Sequence, residues 1–167
     1  MDIVQNHIKI MPNSSKSSIS FSCKPFTELS LEELYKIMQI RQAVFVVEQD
    51  CAYLDADDKD QDAWHVMGFS EEGQLLAYTR LLPMGISYQD YVSIGRVVSS
   101  PNARGLGAGR KAMQFSLTEM ERIFGNSPIK LSAQSYLIKF YESLGFECVG
   151  AEYLEDGIPH IAMIKNK

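Results

Sequence analysis

The sequence predicts an α/β (α+β) fold in which helices cover a mixed sheet, and three observations lead to it. Short apolar runs of strand length recur along the chain, and one pair of them is joined by the turn residues Asp156-Gly157. A longer segment, residues 105–124, repeats its apolar side chains at helical spacing. The segments follow in the order strand, helix, three strands, helix, strand, helix and two strands, which is typical of a sheet with helices on its faces.

The first third of the chain is predicted to hold a tail, a strand and a helix. Residues 1–18 contain a serine-rich run and are predicted to form a flexible N-terminal tail, so that the domain spans residues 19–167. Residues 19–26 alternate as a strand does. Ser30 and Glu33 are the ends of a capping box, in which each side chain can bond the other residue's backbone N–H, and a helix is expected to follow.

The remaining elements follow from apolar runs and the turn residues between them. Strands are predicted at residues 64–70, 75–82, 93–99, 129–133, 147–153 and 158–164. The helical segment 105–124 ends at Gly125, and a short helix at 135–144 ends at Gly145. One mixed sheet in one domain accommodates all of these elements.

The composition is that of a globular protein with neither a nucleic-acid nor a membrane partner. The net charge of −5 is opposite to the basic excess of nucleic-acid binders. No apolar run approaches the roughly 20 residues that span a bilayer, and the N-terminus has no signal-peptide pattern. Cys23, Cys51 and Cys148 are scattered and odd in number. We therefore expect neither a disulfide framework nor a zinc site, and the reducing cytoplasm is the predicted compartment.

An acidic stretch, residues 48–62, has two interpretations. It could form a solvated loop, or it could attract a cation such as a substrate amine, for which Asp57 and Asp60 are candidates. The calcium loop of an EF-hand is excluded, because Ala63 and Phe69 stand where that loop needs glycine and glutamate.

The most informative segment lies in the basic stretch 93–111, where a strand ends in a glycine-rich turn and a helix begins. The first N–H groups of a helix have no internal partner and can donate to a bound anion, which the helix dipole also favours. Glycines let the backbone approach a pyrophosphate, and arginines add charge. The predicted phosphate-binding residues are Arg104, Gly105, Leu106, Gly107, Ala108, Gly109 and Arg110.

Two familiar phosphate motifs do not fit this segment. A P-loop has its second glycine five residues after the first, and this chain has Arg110 at that position. The dinucleotide pattern G-x-G-x-x-G fails at the same residue. The spacing therefore disfavours a nucleotide-binding protein, whereas a glycine-rich helix start without a ligand stays open from this segment alone.

The same segment satisfies the acetyl-CoA pattern Gln/Arg-x-x-Gly-x-Gly/Ala over residues 104–109, and on it the chain resembles the GNAT superfamily of acetyltransferases. Further blocks resemble the ElaA-like branch of that superfamily. These blocks are residues 41–49 with Cys51 and Tyr53, then 94–97, 131–134, 140–146 and 155–160. Together they span most of the chain.

The resemblance implies an N-acetyltransferase with acetyl-CoA as cosubstrate, an amine as acceptor and no metal. It implies a mostly antiparallel, twisted sheet of about six to seven strands, with helices on both faces and splayed fourth and fifth strands. Pantetheine would lie in the gap and bond the fourth strand's backbone at Val97, Val98 and Ser99. Many members have an asparagine near the position of Gln134 that contacts the cofactor, so Gln134 is a candidate for that contact.

Acetyl transfer needs a base for the amine and a proton donor for the departing thiolate. The resemblance gives Tyr141 the position of a tyrosine that faces the CoA sulfur, and a phenol suits donation to a thiolate. Glu48 and His160 are the candidate bases, with His65 as a further histidine on a strand. Each could instead be structural: Tyr141 as a core ring, or Glu48 in an ion pair with Arg96.

Two classes of function stay open at this point. One is the enzyme, and the other is a catalytically idle acyl-CoA-binding regulatory module that keeps the loop but lacks a base. The candidate acceptors are small amines, amino-acid derivatives, aminoglycosides, and protein N-termini or lysines. Exposed strands at the sheet edges could support a homodimer.

Overall fold

A computed structural model of the chain describes residues 18–166 and confirms the predicted order of elements. The strands are β1 Ser20–Pro25, β2 Trp64–Phe69, β3 Leu75–Leu82, β4 Val92–Ser99, β5 Ile129–Gln134, β6 Glu147–Glu155 and β7 Ile158–Lys165. The α-helices of this part of the chain are α1 Leu31–Arg41, α2 Ala108–Phe124 and α3 Ile138–Glu142. A π-helical turn, Gln42–Glu48, continues α1. The predicted tail, apart from Ser18, lies outside the described residues.

The strands form one mixed sheet in the order β1-β2-β3-β4-β5-β7-β6. All neighbouring pairs are antiparallel except β4 and β5, which are parallel. Those two strands share the register pairs Val92–Ile129 and Ser93–Lys130, and beyond them the described residues show no further pairing. The fourth and fifth strands therefore splay apart, as the resemblance implied.

The two long helices lie on opposite faces of the sheet. Side chains of successive residues in a strand point to opposite faces of the sheet, so two neighbouring residues of β2 show which helix packs on each face. Val66 packs with Met113 of α2 in one apolar cluster, whereas Met67 packs with Ile37 of α1 in another. Burial of both clusters holds the sheet between the helices, because burying apolar side chains is the main driving force of folding.

Local signals set most element boundaries. The capping box forms as predicted: Ser30 Oγ accepts from the N–H of Glu33 at 3.1 Å, and Glu33 Oε2 accepts from the N–H of Ser30 at 2.8 Å. The second long helix begins at Ala108 and not at residue 105, because Gly105 and Gly107 take left-handed φ angles of +79° and +71°. An α-helix cannot pass through such residues.

The sheet ends at β1 on one side and at β6 on the other. Every residue of β6 is exposed. Pairing of two copies through a sheet edge stays a prediction. In residues 18–166 no helix has the length and apolar character needed to cross a membrane.

Candidate active site

A cleft of about 880 Å³ opens where β4 and β5 separate. Its walls come from these two strands, the π-helical turn, the loop after it, α3 and the hairpin between β6 and β7. The predicted site residues that line it are Glu48, Val97, Val98, Ser99, Arg104, Gly109, Gln134, Tyr141 and His160. The other predicted loop residues are not part of the lining; they are Gly105, Leu106, Gly107, Ala108 and Arg110. The tertiary fold thus brings together residues from distant parts of the chain.

A bulge in β4 shapes the floor of the cleft. Tyr78 of β3 lies opposite Val98 of β4, but Arg80 lies opposite Gly95, so β4 carries one extra residue between these pairs. Arg96 lies in this bulge with a φ of +49°, which is uncommon for a residue other than glycine. Such a bulge bends its strand and changes the direction of the groups that follow it.

The phosphate loop, residues 104–110, presents unbonded donors at the cleft edge. Within residues 18–166, the amides of Gly107, Ala108, Gly109 and Arg110 donate to no backbone or side-chain acceptor. A Cβ added to Gly107 or Gly109 would meet open space within 4 Å. Open N–H groups at a helix start, with room beside them, fit the phosphates of a CoA-type cosubstrate.

The two loop arginines have different partners. The Arg110 guanidinium lies over the Phe140 ring, 5.2 Å from its centroid. Arg104 Nη2 donates to both carboxylate oxygens of Glu48, at 2.7 and 2.8 Å. The predicted pair between Glu48 and Arg96 is therefore wrong, because Glu48 at the end of the π-helical turn reaches the phosphate loop instead.

Tyr141 fits the role of a proton donor. Only 5% of the residue is exposed, and its ring makes edge contacts with Phe140 and Phe146 at centroid distances of 5.1 and 6.0 Å. Its hydroxyl has no hydrogen-bond partner among the described residues. Burial, with a smaller contribution from Tyr136, raises the pKa of Tyr141. The phenol therefore stays protonated at neutral pH and is available to a ligand in the cleft.

The two candidate histidines differ sharply in their surroundings. His160 Nδ1 lies 2.8 Å from the carbonyl oxygen of Ile158. Because a carbonyl only accepts, Nδ1 carries the proton, and Nε2 of the neutral ring is an acceptor. His65 is fully buried outside the cleft lining, with Nδ1 2.8 Å from the Tyr78 hydroxyl and Nε2 3.0 Å from the carbonyl of Asp60. Burial also lowers the pKa of His65, and the structure excludes it as the base.

Gln134 takes part in a contact across the cleft. It lies at the end of β5, opposite His160 of β7, and its Nε2 donates to Gln49 Oε1 at 3.4 Å. Gln49 follows directly after the π-helical turn. This amide pair therefore joins the wall near Glu48 to the fifth strand.

The solvated-loop interpretation of the acidic stretch is wrong for three of its members. Asp55 and Asp60 are only 4% and 8% exposed, and Asp57 is half-buried. Each carboxylate bonds two arginines, and each arginine bonds two carboxylates. The pairs are Arg41 with Asp55 and Asp60, Arg80 with Asp57 and Asp60, and Arg96 with Asp55 and Asp57. These six residues close into an arginine–aspartate ring.

Ionisation of the aspartates follows from these pairs. Burial opposes the charged form of Asp57, but hydrogen bonds and charge from Arg80, with the charge of Arg96, outweigh it and hold its pKa at about 2. Asp60 is also buried, yet Arg41 and then Arg80 lower its pKa. Asp57 and Asp60 are thus neutralised by arginines, which removes the basis for an amine-attracting rim at these two residues.

Sequence reasoning missed a set of aromatic and hydroxyl groups in the cleft. The aromatic ones are Phe45, Tyr53, Tyr88, Tyr136, Phe140 and Tyr153. Ser132 Oγ bonds the Tyr153 hydroxyl at 2.6 Å and Glu155 Oε2 at 2.7 Å, and the His160 ring stacks on Tyr153. The blocks that resemble the ElaA-like branch contain Tyr53, Ser132 and Glu155. The resemblance could therefore have identified these three residues as candidates. In the described residues no group of three His, Cys, Asp or Glu side chains could hold a metal ion.

Comparison with known proteins identifies the relatives of this chain. Residues 43–167 match the model of the acetyltransferase (GNAT) domain. The chain is 41% identical to protein ElaA of Escherichia coli over 141 residues, which cover 83% of this chain and 91% of that protein. It is 42% identical to a UPF0039 protein of Synechocystis over 146 residues, or 87% and 94% of the two chains.

Solved structures agree with this result. The crystal structure of Escherichia coli ElaA is similar with a TM-score of 0.83 and 38% identity, over 89% of this chain and 100% of that chain. An acyl-CoA N-acyltransferase from Pseudomonas aeruginosa is similar with a TM-score of 0.82 and 45% identity, over 89% and 99%.

Proposed function

Because this chain belongs to the GNAT acetyltransferase family, we propose that it is an N-acetyltransferase that moves the acetyl group of acetyl-CoA to a primary amine by direct attack on the thioester. The observation that carries the proposal is the continuity of one cleft. It runs from Arg104 and Gly109 of the phosphate loop, along the unpaired edge of β4, to Tyr141 and His160. A thioester, its phosphates and an amine can therefore be held in one groove.

The chain's own residues supply the cosubstrate contacts. The amides of Gly107 to Arg110 hold the pyrophosphate, with positive charge from the arginines. The backbone of Val97, Val98 and Ser99 lies on the β4 edge that has no strand partner, where it can bond an extended pantetheine chain. A backbone donor at this edge also stabilises the oxyanion that develops when the amine attacks.

His160 is the better of the two candidate bases. An amine with a pKa of about 10.4 is neutral in roughly one molecule in 10³ at pH 7, so a proton acceptor must assist the attack. Nε2 of His160 is such an acceptor, because Nδ1 donates to Ile158. Glu48 is less suited, since both of its oxygens accept from Arg104. The proton of the amine passes to His160, directly or through water.

Tyr141 completes the transfer as the acid. The acyl carbon–sulfur bond breaks as the tetrahedral adduct collapses, and the thiolate takes the phenolic proton. The hydroxyl of this largely buried tyrosine has no partner among the described residues, and its raised pKa keeps the proton in place until the sulfur leaves. The products are an N-acetylated amine and CoA.

The test is thiol release from acetyl-CoA across a panel of small amines, amino-acid derivatives, aminoglycosides and peptides. Tyr141→Phe and His160→Gln are each expected to lower kcat by at least about 10-fold, as removal of a general acid or base does. Tyr35→Phe is the matched control, because Tyr35 is 70% exposed on α1. The Kd of CoA, measured by calorimetry, should change little in all three variants.

Failure of turnover on every amine, with CoA binding intact, would favour the other function on this fold, an idle acyl-CoA-binding regulatory module. Equal activity of Tyr141→Phe and wild type would remove Tyr141 from the mechanism. The cytoplasm stays the predicted compartment, consistent with three free cysteines.

A further inference from the structure

Arg96 contributes to the cleft through both its backbone and its side chain. Through its backbone it lies in the bulge of β4, directly before Val97 to Ser99. Through its side chain it belongs to the arginine–aspartate ring: Nε donates to Asp55 Oδ1 at 2.8 Å, and Nη2 lies 3.2 Å from the carbonyl of Asp55. The same Nη2 lies 3.3 Å from Asp57 Oδ2. One residue thus joins the loop after the π-helical turn to the strand that carries the predicted oxyanion donor.

The backbone of Arg96 needs outside support. A left-handed φ of +49° is unfavourable for a residue with a Cβ, and such a conformation persists where surrounding contacts impose it. The contacts here are those of the Arg96 side chain itself, with Asp55 and Asp57. The side chain of Arg96 is thus tied to Asp55 and Asp57 at the residue where the β4 backbone changes direction.

The side chain of Arg96 also fixes a wall of the cleft. Its guanidinium lies over the Tyr53 ring, 5.8 Å from the centroid, and the Tyr53 hydroxyl donates to Asp55 Oδ1 at 3.0 Å. Tyr53 and Arg96 both line the cleft. The position of this aromatic wall and the position of the β4 backbone thus depend on the same guanidinium.

We propose that Arg96 is a positioning residue, which holds the Tyr53 wall in register with the backbone of Val97 to Ser99 so that the acceptor amine meets the acyl group. The proposal rests on the acetyl-transfer function proposed above. It assigns Arg96 no direct contact with the reacting atoms. Its loss should lower kcat by a larger factor than it weakens CoA binding, since the phosphate loop is held by other residues.

Arg41 provides the control within the ring. It bonds Asp55 and Asp60 as Arg96 bonds Asp55 and Asp57, but it is fully buried on α1 and does not line the cleft. Arg41→Lys should lower Tm at least as much as Arg96→Lys does. If the ring were only structural, kcat of both variants would follow their stability.

The experiment compares Arg96→Lys with Arg41→Lys, each assayed well below its Tm for kcat, for KM of the amine and for Kd of CoA. Arg96→Lys is expected to lower kcat about 10- to 100-fold, as a misplacement of about 1 Å does, with a smaller change in the Kd of CoA. Arg41→Lys is expected to keep kcat near the wild-type value. If Arg41→Lys does not fold, Asp60→Asn takes its place. If Arg96→Lys does not fold, Tyr53→Phe takes its place, and Tyr53→Phe is expected to lower kcat by a smaller factor.

Amide hydrogen exchange of residues 92–99 gives a readout that does not need turnover. Faster exchange in Arg96→Lys than in Arg41→Lys supports the positioning role even if no amine in the panel is acetylated. Failure of the positioning proposal can therefore be distinguished from failure of the proposed acetyl transfer. Equal exchange in both variants, or a parallel loss of kcat and Tm in both, overturns it. A loss of CoA affinity as large as the loss of kcat in Arg96→Lys overturns it as well, because Arg96 would then act as a cosubstrate contact.

Discussion

The arginine–aspartate ring and the phosphate loop are two polar regions at one cleft, and they differ in whether their polar groups are satisfied. In the ring, three arginines and three aspartates bond one another in pairs of 2.6 to 3.3 Å, with no net charge. Among the buried polar side-chain atoms of the described residues, Arg80 Nε alone has no partner. In the loop, successive amides of the described chain have no acceptor, and the space beside the glycines is open. Buried polar groups that satisfy each other maintain structure, whereas unbonded donors at an open edge are available to a ligand.

Removing a member of the arginine–aspartate ring should have the largest effect, and that effect should be a loss of stability. Asp60→Ala leaves Arg41 and Arg80 buried with a lost partner, which costs about 3–5 kcal/mol when one member of a buried pair is removed. Urea unfolding would measure the difference. Asp62→Ala is the control, since Asp62 is exposed in the same loop. Equal stability of the two variants would contradict the structural role of the ring.

A larger side chain in the phosphate loop should weaken CoA binding without lowering stability. Gly109→Val adds methyl groups where the structure has open space, at a residue whose φ is not left-handed. We expect Tm to stay near the wild-type value, because replacing glycine in a helix favours folding by up to about 1 kcal/mol. CoA should bind about 10-fold or more weakly by calorimetry, as obstruction of a close backbone approach implies. Gln114→Val, on the exposed side of the same helix, should bind CoA normally.

Protonation of Asp57 in acid should lower the free energy of unfolding, by less than removal of Asp60 does. Its folded pKa of about 2 is below its ordinary 3.8, so its contribution to stability is present above about pH 4 and is lost as the pH falls towards 2. Asp57→Asn should therefore show a shallower fall in unfolding free energy over that interval than the wild type does. Parallel curves for the two proteins, from urea unfolding at several pH values, would mean that Asp57 gains no stabilisation from Arg80 and Arg96.

Local signals in the sequence sufficed for much of the fold. The capping box at Ser30 and Glu33, the turn at Asp156-Gly157 and the helical spacing after Gly107 each involve residues within a few positions of one another. Such signals depend on backbone geometry and nearby side chains, and the predicted boundaries mostly lie within one or two residues of those observed. The glycine-rich turn and helix start at residues 104–110 were predictable for the same reason, because they come from one segment, and phosphate binding there stays a prediction.

The sequence by itself determined the order of elements, the glycine-rich turn before the second long helix and, through resemblance, the family. Only the tertiary structure decided the partners of the charged side chains: Arg96 bonds Asp55, 41 positions away, and Glu48 bonds Arg104, 56 positions away. It also decided that, within residues 18–166, His160 Nε2 has no partner while His65 has both nitrogens bonded. The physical reason is that a charged or titratable group is defined by whichever atoms the packed sheet and helices bring within about 3 Å of it, and spacing along the chain does not encode that distance.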